Sequence, residues 1–453
     1  MPRLTESLKL LRFGDVAVRR NPLFYADARK ILDEFERADL EQRDAWTHKH
    51  LESVLWSARR SPYGSRVKGT RDLESWPLLR KDAVQSDPRS FCTHSPLFTV
   101  RATTGGTSGM PLRIFRSMQS VAFEQACLDE MMRRLGVDGR DARTAVLRTE
   151  VVKDPNDLHP PFWIHANGGR RLVFSSSHLN ANTITHFVRA LEDFKPDVMM
   201  AYPTSLEALC VLLENAGLRV AVPRIVCSSE VLQPRVWQLA VDRLGCDLLD
   251  RYGQAERVAF AYARRPGEYR FLPGYAHLEF QHVGSEDEGI DLYEIVGTPL
   301  WNRSMSLIRY CTGDLIRVPS GWGDSELREI ALGVRTFTGI IGRSGDILLT
   351  PEGVKVTGIS HFHRDVAHVH RIQVIQETLS DVSILVAATS QFSRDDEAHL
   401  LRNVRRKLPE SMRVTIRRTE ALERSALGKT PFVIHRPQVK ALLQPVQSAR
   451  EQA

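Results

Sequence analysis

Long apolar runs, paired cysteines, internal repeats and low-complexity tracts are all missing from this chain of 453 residues. No apolar run reaches the roughly 20 residues that a membrane-spanning helix needs, so a membrane span is not expected. The opening residues Met1-Pro2-Arg3-Leu4-Thr5-Glu6 lack the basic-then-apolar layout of a secretory signal, and the expected location is cytoplasmic. Six cysteines, Cys92, Cys127, Cys210, Cys227, Cys246 and Cys311, are scattered without a Cys-x-x-Cys pair. That spacing argues against a zinc ribbon or a disulfide framework and predicts buried, reduced thiols. The most basic stretch, 401–440, carries 11 Lys/Arg against 3 Asp/Glu in a chain of net charge +7. It lacks the interleaved aromatics on which bases stack, so nucleic acid is not an expected partner. Solvated helix faces account for most of this charge, and a few of these cations suit a phosphorylated ligand.

The composition that remains, 42% hydrophobic and 26% charged, supports a large core and more than one domain. The first hundred residues read as mostly helical, with Leu51, Val54, Leu55 and Ala58 at helical spacing. From Ile184 to Tyr252 helix and strand alternate: helices over Ile184–Phe194, Ser205–Asn215 and Pro234–Leu244, strands at 197–202, 224–227 and 247–250. Such alternation predicts an α/β sheet with right-handed crossovers and ligands at the carboxyl ends of its strands. Ser228-Ser229-Glu230 and Tyr252–Glu256 fall at those ends. After about Gly345 the pattern changes. A hairpin around Pro351-Glu352-Gly353, strands at 371–376 and 382–388 and a helix at 397–407 predict a small α+β domain. Phe162, Trp163, Tyr202 and Pro203 read first as core and second as a pocket lining. His361, His363, His368 and His370 stand two apart in pairs, a spacing that shares no helix face, so core or solvent histidines are expected rather than metal ligands.

Five motifs carry chemistry. Thr103-Thr104-Gly105-Gly106-Thr107-Ser108-Gly109 packs three glycines and four hydroxyls into seven positions. Glycine lets the backbone approach an oxyanion, and successive N–H groups make a nest for phosphate. Tyr252-Gly253-Gln254-Ala255-Glu256 follows, then Arg309-Tyr310-Cys311-Thr312-Gly313-Asp314, Gly342-Arg343-Ser344-Gly345-Asp346 and Gly428-Lys429. Gly428-Lys429-Thr430 also mimics the end of a Walker A loop. That loop needs a glycine at 423, where Glu423 stands, and a following helix, which Pro431 opposes.

In this order the motifs resemble the adenylate-forming superfamily of acyl- and aryl-CoA ligases, within it the phenylacetate-CoA ligase group, and most closely its capsular-polysaccharide, CapK-type branch. The resemblance runs from about Leu51 to Arg436. It implies a large N-terminal α/β domain, 1–342, binding ATP and a carboxylic acid, and a small α+β lid, 343–453, carrying the catalytic lysine. It further implies that Thr104, Gly105, Gly106, Thr107, Ser108 and Gly109 hold the β- and γ-phosphates. Ser229, Glu230, Tyr252, Gly253 and Gln254 would line the nucleotide pocket, with the Tyr252 ring against adenine. Glu256 would hold Mg²⁺ as a catalytic carboxylate, Asp314 and Arg343 would bind the ribose, and Lys429 would bridge the acyl carboxylate and the α-phosphate. The expected activity is acyl-adenylate formation followed by transfer to CoA. The alternatives are transfer to an amine, a hydroxyl or a carrier protein in polysaccharide or natural-product synthesis, or nucleotide binding with little catalysis. Related ligases are often dimers, so the resemblance makes a homodimer a possible assembly, and the sequence does not specify the oligomeric state. The chain departs from the pattern at Met110, where relatives often have Lys, at Ala255, where many have Thr, and at Gly345, where an acidic hinge residue is common. Arg113 and Arg116 are the candidates to replace the missing cation.

Overall fold

The computed structural model describes residues 18–95, 99–103, 112–148, 150, 152–153, 157–287, 289–341, 348–351, 355–356, 359, 362–363, 366–405, 408–424 and 430–443. The chain divides into two compact units, Met1–Ile341 and Gly342–Ala453. No described helix is long and apolar enough to cross a membrane.

The first unit begins with helices Pro22–Arg37 and Leu40–Ala58, the second started by an Asp39–Gln42 capping box. Such a box satisfies two of the amide groups that a helix start leaves unpaired. A short antiparallel hairpin, β1 (Val100–Thr103) and β2 (Arg113–Arg116), follows. Then comes an eight-stranded sheet of β3 (Thr144–Leu147), β4 (Trp163–Ala166), β5 (Arg171–Phe174), β6 (Val198–Ala201), β7 (Arg224–Ser228), β8 (Asp247–Gly253), β9 (Phe260–Ala263) and β10 (Arg270–Phe271). Its spatial order is β10-β9-β8-β7-β6-β3-β5-β4. Strands β5, β3, β6, β7 and β8 run parallel, while β4, β9 and β10 run antiparallel to their neighbours.

The helices between these strands explain the parallel run. Ile184–Phe194 buries Ile184, Phe187, Val188, Leu191 and Phe194, one stripe at helical spacing, and ends on Lys195 in the left-handed region. Pro203–Asn215 and Pro234–Leu244 each open on proline, whose missing N–H costs nothing in a first turn. Parallel strands are covered on both faces, and accordingly Ala145, Val146, Val198, Met199, Ile225, Val226, Leu248 and Leu249 are all buried. All six cysteines are free and buried.

A second sheet, antiparallel throughout, contains β11 (Ala276–Asp287), β12 (Ile290–Pro299), β13 (Tyr310–Pro319) and β14 (Gly339–Ile341) in that order. Gly297 of β12 lies so close to the turn after β8 that a Cβ there would meet the Val258 carbonyl oxygen at 2.2 Å. Only glycine allows that backbone-to-backbone approach.

The second unit holds the small hairpin β15 (Leu348–Leu349) and β16 (Lys355–Val356). Its main sheet contains β17 (Val369–Gln376), β18 (Asp381–Ala388), β19 (Arg413–Arg418) and β20 (Val433–His435) in the order β19-β18-β17-β20. Helix Arg394–Arg405 connects the parallel pair β18 and β19. It packs Leu400 and Val404 onto Ile372, Val374, Ile384 and Val386.

Candidate active site

The glycine-rich segment connects β1 to β2, so it leaves and re-enters one hairpin. Thr104, Gly105, Gly106, Thr107, Ser108 and Gly109 themselves, with Met110, Arg343, Gly345 and Lys429, lie outside the described residues. The other candidates fall at the carboxyl edge of the parallel sheet or opposite it.

Ser229 and Glu230 follow β7. Ser229 takes a left-handed backbone with φ of 73°, and Glu230 Oε2 accepts a hydrogen bond from the Thr204 amide at 3.0 Å. That amide belongs to the first turn of helix Pro203–Asn215, where a carboxylate both satisfies an orphan donor and meets the positive end of the helix dipole. One Glu230 oxygen is therefore committed to the helix start.

The strand expected at 247–250 continues to Gly253. Strand β9 folds back on it, pairing Tyr252 with Ala261 and Gly253 with Phe260, and those partners extend the ladder. The tyrosine motif thus begins inside β8 and turns out of it. Gln254 holds the turn, accepting from the Ala259 amide at 3.2 Å and donating to the Tyr252 hydroxyl.

Asp314 is delivered by a bulge. Strand β12 pairs Glu294 with Leu315 and Val296 with Cys311, so Ile295 alone faces Thr312, Gly313 and Asp314. Gly313 supplies the positive φ, 73°, and the Thr312 hydroxyl accepts from the Asp314 amide at 3.0 Å. Bulges re-aim side chains in this way. The Tyr252 hydroxyl donates to Asp314 Oδ2 at 2.6 Å. Burial first, and the Asp314 carboxylate second, push the Tyr252 phenol well above its ordinary pKa. Four residues earlier on β13, the Tyr310 hydroxyl donates to Glu256 Oε1 at 3.0 Å. Glu256 is only 4% exposed. The two segments are therefore cross-linked reciprocally, each giving a tyrosine hydroxyl to a carboxylate of the other.

Against this geometry stand the similarities to known proteins. Residues 348–436 match the family model of the CapK C-terminal domain. Protein CapK of Staphylococcus aureus is 19% identical over 295 residues, covering 64% of this chain and 63% of that protein. Phenylacetate-coenzyme A ligase of Aromatoleum evansii is 27% identical over 173 residues, 36% of this chain and 37% of that protein. The chain thus spans less than two thirds of either curated relative. Among solved structures, a 2-hydroxyisobutyryl-CoA ligase in the postadenylation state with R3-HIB-AMP superposes with a TM-score of 0.60 at 14% identity, over 90% of this chain and 93% of that one. The fold is that of the adenylate-forming superfamily.

Within this adenylate-forming fold the two candidate replacement arginines separate. Arg113 is exposed on β2, whereas Arg116 reaches the tyrosine motif and donates to the Ala255 carbonyl oxygen at 2.5 Å. Burial, and then the neighbouring Arg257 charge, lower the Arg116 pKa to about 10, against the pull of Glu124 and Glu256. Its Nε is buried without a hydrogen-bond partner.

Two further residues position the site and were not read from the sequence as doing so. Tyr310 stood inside a quoted motif, but nothing in its spacing to Glu256 marks the contact. Gln373 of β17 is fully buried. Its amide donates to the carbonyl oxygens of Glu423 at 2.9 Å and Pro431 at 2.8 Å and accepts from the Glu423 amide at 2.9 Å. Arg371 adds a bond to the Thr430 carbonyl oxygen at 2.9 Å. The described residues on either side of 425–429 are thereby fastened to β17. A glutamine inside an apolar strand was the available signal, since a buried amide must find partners. The aromatic candidates Phe162 and Phe187 stack with centroids 6.3 Å apart inside the core, in line with the first reading of Phe162. The described residues contain no group of three or more acidic, cysteine or histidine side chains placed to hold a metal.

Proposed function

We propose that this chain activates a carboxylic acid as its acyl-adenylate, with release of pyrophosphate, and then transfers the acyl group to CoA. The observation that carries this reading is the reciprocal tyrosine–carboxylate pairing of Tyr252 with Asp314 and Tyr310 with Glu256, at the carboxyl edge of a parallel sheet. Support comes from the CapK C-terminal domain match, from the phenylacetate-coenzyme A ligase relative, and from a neighbour of the same fold captured with an acyl-AMP.

In the first step a carboxylate oxygen attacks the α-phosphorus, and the bond from that phosphorus to the bridging oxygen of pyrophosphate breaks. Two anions meet, so the site must neutralise charge. The backbone of Thr104–Gly109 would cradle the departing phosphates. Asp314 would accept from the ribose hydroxyls, since an ionised carboxylate offers only acceptors, and Arg343 would bind the same ribose. Because the Tyr252 hydroxyl is committed to Asp314, its ring would meet adenine by its face. Gly253, Gln254, Ser229 and Glu230 would complete the pocket wall. Lys429 would bridge the attacking carboxylate and the α-phosphate, a task suited to a compact ammonium. Arg116, next to Ala255, would supply the cation that Met110 does not.

Mg²⁺ fits this donor set. Glu256 Oε1 is occupied by Tyr310, and Oε2 accepts no hydrogen bond among the described residues. A single carboxylate with phosphate oxygens and water is the coordination Mg²⁺ accepts, and the ion would neutralise phosphate charge there.

The test is pyrophosphate release from ATP and Mg²⁺ across aryl, short-chain and hydroxylated acids, with and without CoA, beside Lys429→Ala. Acid-dependent release in the wild type, lost in the variant, supports adenylation, and thioester formation with AMP release supports the ligase. Release that the variant retains removes Lys429 from the chemistry.

A further inference from the structure

Several half-buried arginines of the first unit are neutralised by carboxylates. Arg29 meets Glu130 at 3.0 Å, Arg317 meets Glu286 at 2.6 Å and Arg309 meets Glu279 at 2.7 Å. The groove beside the N-terminal helices, lined by Tyr25, Arg29, Asp129 and Arg133, is internally balanced in the same way, with Arg20 on Asp129. Arg148, like Arg116, departs from that pattern. Among the described residues no carboxylate lies within ion-pair distance of it. Its one hydrogen bond goes to a neutral hydroxyl, Ser228 Oγ at 3.2 Å, and its Nε is buried without a partner. The acid that acts on it, Glu150, is engaged elsewhere, with Arg171 at 3.5 Å. Burial, and then the Arg251 charge, pull the Arg148 pKa below its ordinary value.

The place of this arginine matters as much as its isolation. Leu147 pairs with Ala201, Ala201 with Cys227 and Cys227 with Asp250. One residue further along, Ser228 pairs with Arg251, while Arg148 and Tyr202 directly follow the ends of β3 and β6, so all four stand at the carboxyl edge. The Arg148 guanidinium lies over the Tyr202 ring at 5.6 Å, an arrangement that holds a planar cation in place. After β5 the chain crosses back over β3 to form β6 on its other side. The carboxyl end of β3, where Arg148 sits, is therefore a topological switch point, the place where open α/β sheets bind ligands. Ser228 is adjacent in sequence to Ser229 and Glu230, and Arg251 to Tyr252.

We propose that Arg148 receives a second anionic group of the acid substrate, a remote carboxylate or phosphate, so that the chain activates acids that are dianionic before adenylation. The proposal rests on the adenylation reading for the fate of the first carboxylate. A guanidinium matches an oxyanion through parallel N–H donors, and the terminal nitrogens of Arg148 are met by a neutral hydroxyl rather than by a carboxylate. Without ligand this cation is desolvated and uncompensated, a cost that a binding site tolerates because the ligand removes it.

The test compares acids in matched pairs: glutarate against pentanoate, isophthalate against benzoate, and 3-phosphonopropionate against butyrate. The last pair distinguishes a phosphate-type second group from a carboxylate. In the wild type the dianionic member of at least one pair should release pyrophosphate with the higher kcat/KM. Arg148→Gln should lower that ratio about tenfold or more, the loss expected for a charge-assisted pair, with Arg148→Lys restoring part of it. If no acid releases pyrophosphate, the adenylation reading fails. Calorimetric binding of the same pairs then decides the present proposal, since a dianion preference that Arg148→Gln removes still supports it. Arg148→Met should also raise the melting temperature of the ligand-free protein. Equal handling of both members of every pair, including binding of neither, overturns the proposal. So does a melting temperature that falls with the dianion preference intact, which marks a structural arginine.

Discussion

The two units fasten their candidate functional groups by opposite means. In the first, the candidate carboxylates are gripped by ionisable hydroxyls, Tyr252 on Asp314 and Tyr310 on Glu256, with Arg116 beside them, while Gln254 and Thr312 add neutral bonds to the turns. In the second, the segment leading to Lys429 is held by a neutral amide, Gln373, through three bonds to backbone. Phenol–carboxylate pairs couple position to protonation, and a displaced proton changes both. An amide has no proton to lose near neutral pH, so it fixes a loop without setting the charge of what the loop carries. The contrast separates a first-unit cluster whose geometry depends on protonation from a second-unit turn whose geometry does not.

Breaking the neutral fastening should have the largest effect. Gln373→Ala leaves the amide and carbonyl of Glu423 and the carbonyl of Pro431 without their partner, a loss of about 3–4 kcal/mol. Denaturant unfolding of the second unit should show it, with the same loss at pH 6 and at pH 8 and faster hydrogen exchange at the Glu423 amide. A pH-dependent loss would erase the contrast.

The first unit should respond to pH. Asp250 of β8 is buried against the Tyr269 hydroxyl, and burial raises its pKa from 3.8 to about 6 in the fold. The native state therefore holds the proton more tightly than the unfolded state does. Its contribution is complete below pH 3.8 and is lost as pH rises to about 6, by up to about 3 kcal/mol. Asp250→Asn should remove this slope, so that stability measured from pH 3.5 to 7 is flatter and higher at the neutral end.

Smaller changes sharpen the comparison within the site. Tyr252→Phe keeps the ring and removes a bond to a charged acceptor, about 2 kcal/mol. ATP affinity should fall about tenfold or more by titration calorimetry. Tyr310→Phe frees Glu256 Oε1 and should cost about 1.5 kcal/mol in stability, with a shifted Mg²⁺ dependence of pyrophosphate release as the readout. If Tyr252→Phe and Tyr310→Phe affect nucleotide and Mg²⁺ dependence indistinguishably, the two pairs do not divide the roles proposed for them.

The parts of the fold legible in the sequence were those whose signal is local. Helices Ile184–Phe194 and Pro234–Leu244 stand where their apolar spacing and proline starts put them. The hairpin flanking Pro351 and the strands around Ile372 and Ile384 are likewise in place. The sheet from Ala276 to Ile341 was not legible. Its strands alternate His277, Glu279, Gln281 and Glu294 with apolar residues, are partly exposed, and carry register shifts in both pairings of β12, so the period-two pattern is interrupted. The same holds for the site. Motif order singled out Tyr252, Glu256 and Asp314, and the structure brings Tyr252 and Asp314 into contact. The partner that fastens Glu256, the committed oxygen of Glu230 and the uncompensated charge of Arg148 are facts of burial and pairing, which appear only when the chain is folded.

The bulge that presents Asp314 also has an arithmetic. Between the pairs Val296–Cys311 and Glu294–Leu315, β13 advances four residues while β12 advances two. The surplus is even, so the alternation of inward and outward side chains is the same on both sides of the bulge. A single-residue deletion there would turn the rest of β13 inside out, carrying buried Leu315 and Val318 off the faces they now occupy. Removal of a pair would leave a regular ladder and merely delete the acid. Parity, rather than composition, thus limits how this strand can vary in length: steps of two keep the ladder in register and lose only the Tyr252–Asp314 bond, whereas a step of one reverses every side chain beyond it.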